Sequence, residues 1–244
     1  MRTLSLILTG ALLGCGGTAP SEVTRSAELA ASVAVGITFE LPADWSTRPS
    51  IQFERLLALD LPTPSAATLE RLAAALTASP TEATRAALLL SHLGTEQAHD
   101  LLLRRLEERV TGESREADAG DCTAARGLAG GSRAPRTIER LTALAAGPDP
   151  HPDLEVRTEC AASLLCLGSE AGTPWLLAVL RIDTAEAERR GEQLTTSETT
   201  AWPRGRAAEV LCAYLGLEHR VWTDASLETR AAKALELEAL LADR

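Results

Sequence analysis

The side chains able to do chemistry in this chain are few, and their spacing matches no catalytic set. The four histidines are His92, His99, His151 and His219. None belongs to a His-Glu-x-x-His motif, which places two imidazoles on one helix face for zinc. His92 and His99 are seven residues apart, but Gly94 falls between them and is placed to break a helix. All four read as structural surface histidines. The cysteines are Cys15, Cys122, Cys160, Cys166 and Cys212. Cys160 and Cys166 lack the two-residue spacing of a zinc knuckle. On one helix they also point about 120° apart, so they are not expected to bond to each other. The four that follow Cys15 allow three complete disulfide pairings, and the sequence does not choose among them. As unpaired thiols they read as small buried hydrophobes. Gly127-Leu128-Ala129-Gly130-Gly131 is glycine-rich but follows a predicted helix, whereas a phosphate-cradling loop follows a strand; it reads as a turn. No Gly-x-Ser-x-Gly elbow or dinucleotide fingerprint occurs. The expectation is no catalytic residue, no metal and no cofactor.

Cys15 is the exception, because of what precedes it. Arg2 supplies a positive charge, residues 4–11 form a short apolar run, and Leu12-Leu13-Gly14 leads into the thiol. The run is too short for a permanent membrane span. A charged start, an apolar core and a small residue before the cut make a secretory signal peptide, here Met1 to Gly14. Leu12-Leu13-Gly14-Cys15 resembles the lipobox of bacterial lipoproteins. That resemblance implies cleavage before Cys15, diacylation of its sulfur and acylation of the new N-terminus. Each buried acyl CH₂ adds about 0.8 kcal/mol, so several chains anchor far more firmly than one. The chain would be membrane-anchored without spanning, facing the periplasm or the cell surface. Gly16 in place of an aspartate after the cysteine points by the same resemblance to the outer rather than the inner membrane.

Composition narrows the rest. Asp and Glu total 34 against 24 Lys and Arg, a net charge of −10. Such a balance disfavours a phosphate backbone, and nucleic acid is set aside as a partner. Aromatics make up only 3% of the chain, too few for an ordinary sandwich or barrel. Ala, Leu, Arg and Glu dominate, and all favour helix. Residues 15–49 read as a lipidated N-terminus, tether and lead-in, with a brief extended piece at 36–41 and a turn region at 42–49. Residues 50–244 read as helical almost throughout.

A repeat organises that region: two small residues, two variable ones, then Leu. It occurs at Ala86-Ala87-x-x-Leu90, Ala124-Ala125-x-x-Leu128, Cys160-Ala161-x-x-Leu164 and Ala207-Ala208-x-x-Leu211, separated by 38, 36 and 47 residues. A shortened fifth copy is read at Ala231-Ala232-x-x-Leu235. Three copies run on to Leu93-Gly94, Leu167-Gly168 and Leu215-Gly216, where Gly is placed as a C-terminal cap. Positions i, i+1 and i+4 share a helix face, and small residues there admit a second helix closely. The partners read as helices through Leu69-Leu72-Leu76, Leu102-Leu106, Ile138-Leu141-Leu144 and Trp175-Leu176-Val179-Leu180. Each unit is then a helical hairpin of about 40 residues, and stacked hairpins share one core. The segment 183–202 widens the last gap and reads as an insertion, mobile in its second half, with Pro203 in the first turn of the next helix.

The stretch Val156 to Gly168, with Arg157, Cys160-Ala161, Leu164 and Leu167-Gly168 in order, resembles the second helix of a bacterial HEAT-like repeat. The resemblance covers about residues 64–241 and implies an all-α solenoid of four to five hairpins. HEAT-like di-iron enzymes carry paired His-Glu dipeptides, which this chain lacks, and HEAT-like DNA glycosylases carry a basic face, which its net charge argues against. Residues opposite the small-residue face should point to the open side or solvent: Arg85, His92, Glu159 and Arg206. These are the candidate partner-facing residues. The leading expectation is a lipid-anchored scaffold that binds another envelope protein. The rival is a small-molecule-modifying enzyme of the HEAT-like lyase type, which would need a deep pocket with convergent polar groups.

Overall fold

The computed structural model describes residues 38–111, 119–131, 133–183, 197–218 and 225–243. The signal peptide, the lipobox with Cys15, the tether, His219 and the stretch 184–196 lie outside the described residues. Those described form an all-α structure of ten α-helices and two 3-10 turns. The helices are α1 (Ser50–Leu57), α2 (Ala66–Leu76), α3 (Pro80–Leu93), α4 (Glu96–Thr111), α5 (Ala119–Gly127), α6 (Pro135–Ala146), α7 (Leu154–Cys166), α8 (Thr173–Leu180), α9 (Ser197–Leu215) and α10 (Leu227–Ala242). The short turns are Leu128–Gly130 and Glu170–Gly172. The only strand-like pairing among the described residues is an isolated parallel bridge between Phe39 and Pro64.

Local chemistry sets the helix ends. Ser65, Ser79, Asp153 and Ser226 each accept the backbone N–H three residues on, satisfying a donor that has no partner inside the helix. Pro80 and Pro135 open α3 and α6, where a missing N–H costs nothing. At the three Leu-Gly stops, Gly94, Gly168 and Gly216 take φ of 60°, 79° and 70°, the left-handed region that other residues avoid.

Consecutive helices pair: α2 with α3, α4 with α5, α6 with α7, and α8 with α9. The second helices also pack in sequence, α3 on α5, α5 on α7 and α7 on α9. The first helices touch more lightly, α2 with α4 and α4 with α6. All twelve residues of the first four repeat copies, from Ala86 to Leu211, are fully buried. Small size is a requirement at these crossings. Ser163 Oγ donates to Ala125 O at 2.7 Å between α7 and α5. A Cβ on Gly127 would stand 2.7 Å from Ser91 Cβ.

Three expectations are corrected. The fifth copy is out of register: Leu235 is 61% exposed, and α10 instead buries Arg230, Ala234 and Leu237. Among the described residues α10 meets α8 and α9, and the stripe it buries starts elsewhere. Next, α9 begins at Ser197, so Pro203 is internal and residues 197–202 are helix, not part of a mobile insertion. An internal proline forgoes one helical hydrogen bond, at a cost of about 3 kcal/mol. Burial of Pro203 and Arg204 where α9 packs on α7 and α8 opposes that cost. Finally, residues 38–49 are part of the helical body. Phe39, Leu41 and Trp45 are buried, and Arg71 donates to Leu41 O at 2.5 Å and Pro42 O at 3.1 Å.

Candidate functional site

Of the four residues expected to face a partner, two pair with each other and two fasten the lead-in. Arg85, on α3, donates to Ser46 O at 2.6 Å and lies over the Phe53 ring at 5.0 Å. His92, at the end of α3, donates from Nε2 to Leu59 O at 2.8 Å. Both hold residues 46–59 against α3. Glu159, on α7, is completely buried and is therefore not itself a contact residue. It sits one position before the small pair, where neighbouring hairpins close over it.

The closure comes from two arginines. Arg126 of α5 donates to Glu159 Oε1 from Nε at 2.9 Å and Nη2 at 2.5 Å. Arg206 of α9 donates to Oε2 at 3.2 Å and to Glu209 at 2.9 Å. One carboxylate thus ties together the second helices of three consecutive hairpins. A buried carboxylate is strongly unfavourable without such partners, and here both oxygens are occupied. The arginines differ in exposure: the Arg126 side chain is 57% exposed and that of Arg206 20%. Trp202 of α9 is 39% exposed, and the Arg126 guanidinium lies 5.9 Å from its ring centroid. The outer surface of α5 and α9 therefore carries a neighbouring Arg–Trp pair beside a buried acid.

Cys122 and Glu155 lie beside this cluster, Cys122 Sγ donating to Glu155 Oε2 at 3.8 Å. Burial pushes the Cys122 thiol well up, and Asp153, Glu155, Glu159 and Asp121 push it further. Burial, then Asp153, also raises the Glu155 carboxyl. A thiol held protonated among acids is a poor nucleophile. Cys160 and Cys212 are buried as small apolar residues.

The histidine expectation is corrected for two residues. His99 is 3% exposed and His151 is fully buried. His99 falls on the inner stripe of α4 with Leu102, Leu103 and Leu106. That spacing of three, four and seven was visible in the sequence. His151 is drawn inward because its own N–H donates to Leu144 O at 2.9 Å, closing the loop after α6. Its Nδ1 accepts from Asp153 N at 3.2 Å. Burial lowers the pKa of both imidazoles. No group of three or more His, Cys, Asp or Glu among the described residues is arranged to hold a metal ion.

Sequence reasoning missed Arg126 and Trp202. Arg126 lies two residues after the start of the second repeat copy, and Trp202 precedes Pro203 at what looked like a helix start. Their pairing crosses 76 residues of chain and has no local signal. Comparison with protein-family models, with curated proteins and with solved structures finds no match. Among the described residues no helix is long and apolar enough to cross a membrane.

Proposed function

We propose that this chain is a lipid-anchored envelope protein whose stacked hairpins form a HEAT-like α-solenoid, and that the face carried by its second helices binds another envelope protein. The anchor is Cys15, on the strength of Leu12-Leu13-Gly14-Cys15. The solenoid reading is supported by the hairpin order and by the burial of all four repeat copies.

The observation that carries the binding reading is the exposed Arg126–Trp202 pair beside buried Glu159. Trp and Arg dominate the energetics of protein interfaces. Arg126 is fixed by two hydrogen bonds, so it has little side-chain freedom left to lose on binding. The chain's acidity makes a partner with a neutral or basic contact surface the better electrostatic match.

The test is quantitative capture from detergent-solubilised envelopes, comparing the wild-type chain with Trp202→Ala and Arg126→Ala. Loss of a hot-spot side chain costs at least about 2 kcal/mol, a thirtyfold loss of affinity. The same partner captured equally by all three proteins refutes the assignment of this face.

A further inference from the structure

On the opposite side of the fold, the first helices α2, α4 and α6 line a half-open cavity of about 470 Å³. That size suits a small ligand. Its walls include Leu69, Ala73 and Leu101, giving it an apolar body. Two of its arginines are already committed. Arg140 donates to Glu107 at 2.6 and 2.7 Å and to Asp100 at 2.6 Å, and Arg104 pairs with Asp100 at 2.6 Å. Three charged lining groups have no ion pair among the described residues: Arg136 on one helix, Glu70 and Glu96 on two others. Arg136 stands in the first turn of α6, and Thr137 lies beside it. Cation and hydroxyl together suit a carboxylate. The two glutamates suit an ammonium.

His99 supplies the independent observation. It lines the cavity, is 3% exposed, and neither ring nitrogen has a hydrogen-bond partner among the described residues. A buried polar group without a partner is unfavourable, and burial lowers the pKa of this ring. Gly131 lies against its Nδ1 edge, where a Cβ would stand 3.3 Å away. A neutral imidazole offers one donor and one acceptor, and an amide, which carries both, matches either tautomer.

We propose that this cavity binds a short zwitterionic peptide with apolar side chains. Its carboxylate meets Arg136 and Thr137, its ammonium meets Glu70 and Glu96, and its amide meets His99. The mixture of charges argues against a simple anion, which the two unpaired glutamates would repel.

The experiment is calorimetric titration of the full chain in detergent micelles with the dipeptide Leu-Leu, its N-acetyl derivative and its C-terminal amide. Leu-Leu is expected to bind, and each derivative to bind at least tenfold more weakly because one terminal charge is gone. Arg136→Gln is expected to weaken Leu-Leu at least tenfold while affecting the amide little. Glu70→Gln combined with Glu96→Gln should do the converse for the N-acetyl derivative. These residues are exposed and outside the ion pairs, so the variants keep the fold, and an unchanged thermal midpoint verifies it. No binding of Leu-Leu to the wild-type chain overturns the proposal, as does equal binding of all three ligands. Binding that Arg136→Gln leaves unchanged overturns it equally.

Discussion

Two glycine-to-alanine substitutions should move stability in opposite directions, for reasons set by packing alone. Gly172 closes the 3-10 turn before α8, with φ −81° and ψ −15°, a conformation any residue adopts. Alanine there would ordinarily stabilise by about 0.4–1 kcal/mol by restricting the unfolded chain. At Gly172 the added Cβ would stand 2.5 Å from Ala161 O, 2.8 Å from its Cα and 3.0 Å from its carbonyl carbon. All three are backbone atoms of α7, so no side chain can swing aside. Overpacking of this kind costs about 1–3 kcal/mol. Taking the middle of each range, the net expectation is a loss of about 1.3 kcal/mol, which lowers the thermal midpoint of a domain this size by roughly 3–5 °C. Gly205 is the control. It lies inside α9, and its Cβ would meet nothing within 4 Å. Gly205→Ala should therefore gain about 0.5–1 kcal/mol and raise the midpoint by a few degrees. Differential scanning calorimetry on the two variants decides the matter. If Gly172→Ala is neutral or stabilising, α7 and the start of α8 are not in backbone contact, and the small-residue logic of the repeat fails with it.

Replacing Glu159 with Leu should lower stability by about 1–3 kcal/mol in urea denaturation. That is less than for a fully enclosed pair, because Arg126 and Arg206 keep part of their solvent; an unchanged urea midpoint would show that the three-helix tie contributes nothing. Burial lowers the folded-state pKa of His99 and His151, so their contribution is complete above the unfolded value of about 6.5. It is lost as pH falls from there through the folded values, at up to about 1.4 kcal/mol per pH unit for each ring. Urea midpoints at pH 7.5 and 5.5 should differ less in His99→Gln/His151→Gln than in the wild type, and equal differences would contradict the burial argument. Cys15→Ser should leave an uncleaved, unacylated precursor, and intact-mass analysis of the wild type showing an N-terminus other than Cys15 would refute the anchor.

Much of the helical framework was legible because its signals are local. The Leu-Gly stops mark the three left-handed glycines. Four copies of a small-small-x-x-Leu pattern mark the buried stripes of the second helices. The pattern failed where it was only compositional. At Ala231-Ala232 the same letters miss the buried stripe of α10, where Arg230, Ala234 and Leu237 face inward instead. Pro203 misled for a related reason: proline's preference for a first turn is a local bias, and the packing of α9 against two other helices outweighs it.

The candidate site was legible only in part. Glu159 and Arg206 were singled out as outward residues at the position before the small pair, and they do share one cluster. The error lay in treating that position as equally exposed in every hairpin. In α3 it is Arg85, which reaches back to the lead-in; in α7 it is Glu159, flanked by hairpins on both sides that each contribute an arginine. A buried acid with basic neighbours one repeat away on either side constrains how α5, α7 and α9 stack. Rotation of one helix relative to the next must be taken up by the arginine side chains if both bonds to the carboxylate are to be kept. The pairing of Arg126 with Trp202 inherits that constraint, since its two members come from the outer two helices and are held in register by the acid between them. A face assembled from three hairpins is therefore no more mobile than its central ion pair. This connects the repeat packing to the binding reading: Glu159→Gln, which keeps the size but removes the charge, should weaken partner capture even though Glu159 never touches the partner. If capture survives Glu159→Gln yet falls with Trp202→Ala, Trp202 binds without pre-positioning, and the acid serves the fold alone.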